Sequence, residues 1–392
     1  MGRLFLFTAT FPYDGAESFL EDEIFFLKEA FDTVTIIPMT GKEMTRTVPA
    51  GCEVYSPVEK KGVFRYFHLF VPNKTTLPFI CDFFRMRVYM SLLRMKTWLI
   101  AYRIGCNLIQ NSRIKHILNE ANDKDVFYSY WGKGSSILSL FTNKNAKFVS
   151  RFHGEWDLWE ESSGGYAPLR DRIAERLDLA AFISKKGELY FKNKYRVRKT
   201  GVFPLGSFDK GISKRSDDGV LHIVSCSTVY PLKRVELIHD ALLASNLKIV
   251  WTHIGAGPSF NQLVSKVESE TREGLEVVLV GQVSHDDVIQ YYQTHVVDLF
   301  INLSTNEGVP VSIMEAISFD IPAVATNVGA TSEIVCDETG FLLTPNPQAM
   351  EVADAIHNIS KIINDLHPRD YWKDHYDAEK NYRFFAETLA QL

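Results

Sequence analysis

The sequence predicts an α/β protein made of two doubly wound domains, each with a parallel sheet. Three observations carry this expectation. Short apolar runs alternate with segments of helical apolar spacing through most of the chain. The length, 392 residues, suits two domains that each bury a core. The charge also divides: residues 1–200 carry a net +8 and residues 201–392 a net −13, as two domains with different surroundings would.

The first half opens on an apolar run, Leu4 to Thr8, that reads as a buried strand. A turn at Pro12 to Gly15 follows, then a helix over Ser18 to Ala30, with Phe19, Leu20, Ile24, Phe26 and Leu27 at helical spacing. Val34 to Pro38 is the next strand and completes a βαβ unit. Residues from about 57 to 120 are helical in pattern, and strand-like pieces return at 125–130, 146–152 and 180–184. Proline, glycine and polar residues interrupt the pattern over 201–218 and mark a boundary. Beyond it, strands at 221–225, 248–254, 276–280, 299–303 and 323–326 alternate with helices, among them one over 309–319. The chain ends on a helix over 377–392.

Composition excludes several classes. At 46% apolar residues the chain reads as globular, and no run is long and apolar enough to span a bilayer. The short run after Arg3 has no small-residue cleavage site and reads as a strand, not a signal peptide. Five scattered cysteines form no Cys-x-x-Cys pair, which suits reduced thiols in the cytoplasm. There is no Asp-x-Asp pair at a strand end and no HExxH, so no metal site is expected. Gly255 and Gly257 do not complete a G-x-G-x-x-G, which weakens a nicotinamide reading.

The chemistry gathers around Glu307 and Glu315. Their spacing alone says little, because three other glutamate pairs share it (21/29, 268/276 and 379/387). Position separates them. Glu307 follows the buried strand 299–303 and precedes a helix, and ligands bind at that edge of an open parallel sheet. Gly308 permits close backbone approach, and Pro310 suits a first helical turn. The free N–H groups beyond would then favour an anion or a hydroxyl oxygen. An ionised Glu307 can accept hydrogen bonds from sugar hydroxyls, and Glu315 from a ribose diol. Lys233, after the strand 221–225, is suited to a phosphate.

Glu307-Gly308-Val309-Pro310-Val311-Ser312-Ile313-Met314-Glu315 resembles the E-x7-E motif of family 4 retaining glycosyltransferases with the GT-B fold. Ile321 to Thr326, Glu333-Ile334-Val335 and Gly340 to Leu343 are also similar to that family, as are Ile254 to Pro258 and Gly281 to Ser284. The resemblance covers 205–350 well and the first half loosely. It implies GT-B architecture: two Rossmann-like domains facing each other, 1–205 for the acceptor and 206–371 for a nucleotide sugar, with the helix within 372–392 crossing back. It implies that Glu307 and His153 are catalytic. Lys233, Val283, Gly308, Val309 and Glu315 would hold the donor, Val283 through its backbone to the base. His153 stands in a His-Gly pair after a strand, where packing alone would otherwise account for it, and Asp157 would share its cleft. Gly15 and Ala16 belong to a turn similar to the family's two-glycine turn, for acceptor or phosphate.

Two positions depart from the pattern. Ser227 stands where an arginine is usual, with Arg234 as a candidate substitute, and Asp14 replaces a glycine. The implied activity is metal-independent hexosyl transfer from a UDP- or GDP-type donor to a glycan or lipid-linked glycan, with no cofactor. A GT-B epimerase or phosphorylase and a non-catalytic nucleotide-sugar-binding protein remain alternatives. Residues 57–116 mix Lys and Arg with aromatics, which suits peripheral contact with an anionic membrane at its inner face. No nucleic-acid-binding motif accompanies that charge.

Overall fold

The computed structural model describes residues 2–14, 17–58, 72–142, 145–154 and 157–392, with Ser162 described by its backbone only. They form two compact units, Met1–Pro204 with Tyr382–Leu392, and Leu205–Asn381. Among the described residues, no helix is long and apolar enough to cross a membrane.

Unit 1 holds a parallel sheet of β1 (Arg3–Thr8), β2 (Thr33–Pro38), β3 (Cys52–Val54), β4 (Val126–Ser129), β5 (Lys147–Phe152), β6 (Leu179–Phe182) and β7 (Thr200–Val202). The spatial order is β3-β2-β1-β4-β5-β6-β7. Its helices are α1 (Leu20–Ala30), α2 (Thr76–Arg85), α3 (Leu92–Gln110), α4 (Ser112–Glu120), α5 (Arg170–Arg176) and α6 (Lys185–Lys194). Alternation along β1 explains the layering. Leu4 and Leu6 enter one apolar core with Leu20, Ile24 and Leu27 of α1, while Phe5 and Phe7 enter the other with Cys106 and Leu108 of α3. A strand apolar on both faces must be covered on both, which is why this sheet carries two helical layers.

Unit 2 repeats the plan with β8 (Leu221–Cys226), β9 (Ile249–Ile254), β10 (Leu275–Gly281), β11 (Leu299–Asn302), β12 (Ala323–Thr326) and β13 (Gly340–Leu343), in the order β10-β9-β8-β11-β12-β13. Its helices are α7 (Val235–Ala244), α8 (Phe260–Ser269), α9 (His285–Thr294), α10 (Val311–Ser318), α11 (Ala349–Ser360) and α12 (Pro368–His375). The last helix, α13 (Ala378–Ala390), begins in unit 2 and packs into unit 1 from Tyr382 onward. Phe385 and Leu389 join the α1 side of the unit 1 core. Phe385 lies 4.7 Å beneath the Arg151 guanidinium. Arg151 is wholly buried and pairs with the equally buried Glu23 at 2.6 Å.

The strand order reverses once in each sheet, between β1 and β4 and between β8 and β11. Chain leaving neighbouring strands there runs to opposite sides and opens a crevice at their carboxyl ends.

Candidate functional site

In unit 2 the crevice receives the loop after β8 and the loop after β11. Thr305 N–H donates to the Leu232 carbonyl at 2.8 Å and ties the two loops together. Lys233 and Glu307 thereby meet, although 74 residues separate them, with Nζ 2.5 Å from Oε1. Both side chains are largely but not fully buried, at 21% and 13% exposed. Asn302, the last residue of β11, donates to the same Glu307 oxygen at 3.3 Å.

The chain beyond Glu307 is held from behind. Ala330 N–H donates to the Gly308 carbonyl at 2.9 Å. A Cβ added at Gly329 would lie 1.6 Å from the Glu307 carbonyl oxygen, so only glycine permits this approach. Among the described residues, the N–H groups of Gly308, Val309, Val311 and Ser312 have no protein acceptor. The helix there starts at Val311, and Pro310 is its N-cap. This corrects the sequence expectation of a helix from 309 with Pro310 inside it. Pro310 has an extended ψ of 115°, which leaves the helix start open for a ligand.

Glu315 lies one turn further along α10, and its Oε1 is 2.7 Å from His285 Nε2. His285 opens α9, just after Val283, so the Gly281 turn and Glu315 are neighbours. Burial, and then the Glu315 carboxylate, push the thiol of Cys226 at the end of β8 up to about 12. Val283 keeps its carbonyl occupied by the Gln282 side chain at 3.1 Å. Arg234 does not take the place of the arginine missing at Ser227. Its guanidinium is spent on the carbonyls of Leu303, Ser304 and Pro345, and so braces the β11 loop.

In unit 1 the corresponding crevice lies at the ends of β1 and β4, with His153 after β5. The His153 ring packs 4.6 Å from the rings of both Tyr130 and Trp131. Its Nδ1 is 3.5 Å from Asp157 Oδ2, while its buried Nε2 has no partner in the protein. Asp157 lines a cavity with Thr8, Trp131 and Lys133, but its side chain is buried and its carboxylate is taken up by the backbone. It accepts from the backbone N–H of Gly132 at 2.9 Å, His153 at 2.9 Å and Gly154 at 3.0 Å. Burial alone would raise its pKa. The His153 contact and these N–H groups outweigh burial and hold the carboxyl below its ordinary range.

The turn after β1 also differs from expectation. Glu17 carries its carboxylate back to the N–H groups of Ala9, Thr10 and Phe11, each at 2.8 Å, and to the Trp131 indole at 2.6 Å. Donors that a turn of this kind would offer to a phosphate are filled by the chain's own anion. Gly15 and Ala16, expected to serve acceptor or phosphate, lie outside the described residues. Sequence reasoning missed Glu17, because nothing in the spacing of a loop glutamate signals a carboxylate folded back on its own strand end.

One set of side chains among the described residues could gather around a cation, His239, Asp240 and Glu270. The Lys266 ammonium already reaches two of them, at 2.8 Å from Asp240 and 3.4 Å from Glu270.

Two parallel sheets with helices on both faces, each with a crevice where its strand order reverses, define the GT-B fold class of glycosyltransferases. The chain matches over its full length a solved lipopolysaccharide outer core galactosyltransferase, WaaB, with 14% identity and a TM-score of 0.72, covering 100% of both chains. It likewise matches HepE of Anabaena, solved with UDP, with 16% identity and a TM-score of 0.69, again covering 100% of both. Residues 212–373 match the family described as glycosyl transferases group 1. A sulfoquinovosyl transferase of Arabidopsis thaliana is 24% identical over 155 residues, 38% of this chain and 28% of that protein. A candidate teichuronic acid biosynthesis glycosyltransferase of Bacillus subtilis is 29% identical over 103 residues, 26% of this chain and 23% of that protein. The chain thus spans about a quarter of the length of the curated relatives it matches.

Proposed function

We propose that this protein transfers a hexose-type sugar from a nucleotide diphosphate to a glycan or lipid-linked glycan, with retention of anomeric configuration. The observation that carries the reading is the convergence of Lys233, Glu307 and the open N–H groups of Gly308, Val309, Val311 and Ser312 at the β8/β11 crevice. A sugar diphosphate needs cationic and N–H donors for its phosphates and acceptors for its hydroxyls, and this edge supplies both.

In this reading Lys233 leaves Glu307 to meet the diphosphate, and Glu307 turns to a sugar hydroxyl. The N–H groups of Gly308 and Val309 hold the donor sugar, Glu315 the ribose, and the backbone of Val283 the base. As the glycosidic bond to phosphate breaks, charge grows on the leaving diphosphate, and preorganised donors lower that barrier. His153, with Nε2 unsatisfied, is assigned to the donor sugar. The solved relative HepE was crystallised with UDP-glucose, which favours UDP-sugars as the first donors to test.

The test offers UDP- and GDP-sugars with and without a membrane fraction, and follows nucleoside diphosphate release and glycosylated product. Transfer that falls by about 100-fold or more in Glu307→Ala is expected. Epimerised sugar without acceptor, phosphate-dependent sugar release, or donor binding with no turnover would each replace the transferase reading.

A further inference from the structure

Among the described residues, half of the large apolar side chains that stand exposed fall between Leu77 and Ile100. They include Leu77 at 69%, Phe84 at 65%, Met90 at 68% and Leu92 at 86% exposure. These residues lie on α2, the 3-10 turn Val88–Met90 and the start of α3. The same elements turn other residues inward. Phe79 of α2 is fully buried against Trp98 and Tyr102 of α3, with ring centroids 5.8 and 5.3 Å apart. Among the described residues, the outward apolar face is the second side of a helix pair whose first side is already packed.

Charge follows the same face. Between residues 72 and 119 the chain carries eight Lys and Arg and a single carboxylate, Asp82. Asp82 is buried, where it accepts from the Tyr166 hydroxyl and from Arg85. Arg85 is further engaged by Asp171. Lys74, Arg87 and Lys96 are exposed and meet no carboxylate among the described residues.

From this we infer that the α2–α3 face docks on an anionic lipid bilayer, with Leu77, Phe84, Met90 and Leu92 entering the interface and Arg87 and Lys96 meeting lipid phosphates. Apolar side chains ringed by unpaired cations suit that boundary, where one part is buried in acyl chains and the other in anionic head groups. A soluble surface would rarely leave so many large apolar groups contiguous. Ile100, on this face, is also a wall of a cavity of about 210 Å³ whose other walls include Gly132, Lys133 and Arg170. If the transferase reading holds, docking would bring this face of the protein to a lipid-linked acceptor. Docking itself does not depend on that reading.

The test is flotation of the whole protein with vesicles of phosphatidylcholine alone or mixed with phosphatidylglycerol, without donor or acceptor. Binding to the anionic vesicles is expected, with a fall of roughly tenfold or more as salt is raised or in Arg87→Glu with Lys96→Glu. Met90→Ser with Leu92→Ser should lose roughly tenfold or more. These side chains are exposed, so an unchanged thermal transition checks that the variants still fold. Equal binding to neutral and anionic vesicles, or none to either, would overturn the proposal. So would a concentration-dependent dimer that Leu92→Ser dissolves, since the face would then belong to a second copy.

Discussion

The two crevices sit at equivalent places in their sheets, yet they treat their polar groups in opposite ways. At the β1/β4 edge, donors are satisfied from within: Glu17 fills the N–H groups of residues 9–11, and Asp157 fills those of Gly132, His153 and Gly154. At the β8/β11 edge the loops are held by glycine approach and by Arg234 on backbone carbonyls, and the donors at the start of α10 stay open. A buried carboxylate fixes a loop but consumes its donors, whereas a backbone contact through glycine fixes a loop and leaves them available. The first crevice therefore presents rigid side chains, His153 and Trp131, and the second presents backbone and charge.

The largest expected effect comes from emptying the first crevice. In Glu17→Ala, three backbone N–H groups and the Trp131 indole lose their acceptor. Each buried unsatisfied donor costs about 1–3 kcal/mol, less where water enters, so a loss of about 3 kcal/mol or more is expected. Urea unfolding measures it. Glu17→Gln retains one acceptor oxygen and should recover part of the loss. A change below about 1 kcal/mol in Glu17→Ala would mean that water satisfies this turn and that the contrast between the two edges is weaker than the contacts suggest.

The second test applies one substitution to both edges. In Gly329→Ala the new Cβ would overlap the Glu307 carbonyl oxygen, so the Glu307 loop must shift. Misplacement by about 1 Å costs on the order of 100-fold in turnover, and donor affinity should fall with it. Gly134, after β4, also has a positive φ, but nothing lies within 4 Å of a Cβ there. Gly134→Ala should therefore cost only about 1 kcal/mol of backbone strain and little turnover. Equal loss in both would show that conformation, not close approach, sets the requirement.

The sheets were legible because their signal is periodic. Leu299 to Leu303 reads as a buried strand on composition alone, and the structure differs by one residue at its end. The meeting of Lys233 with Glu307 follows once two parallel strands are taken as neighbours, because both residues follow strand ends. Short edge strands gave less signal: β3 and β7 have three residues each, half-exposed, and alternation has no length in which to show. Loop chemistry was the least legible. Whether Arg234 faces a ligand or braces the neighbouring β11 loop depends on a left-handed turn at its backbone, with φ 48°. Glu17 and Asp157 likewise act through the path of the loop that carries them, which no spacing rule records.

The smallest expected effect concerns pH and separates Asp157 as an anchor from Asp157 as a free acid. Its folded pKa is lowered, so it contributes stability that is complete above its unfolded value of about 3.9 and is lost as pH falls through the folded value. Asp157→Asn keeps one acceptor oxygen but removes the charge, and hydrogen bonds to charged groups contribute about 1.5–3 kcal/mol. Wild type should exceed the variant by about 1.5 kcal/mol in urea unfolding at neutral pH. The gap should narrow only below about pH 4. A gap that instead changes between pH 5 and 7 would show that a neighbouring charge, and not the three N–H groups, dominates this anchor. With a flat gap there, Asp157 acts on His153 chiefly by fixing the backbone on which the ring stands, which leaves Nε2 directed by packing between Tyr130 and Trp131.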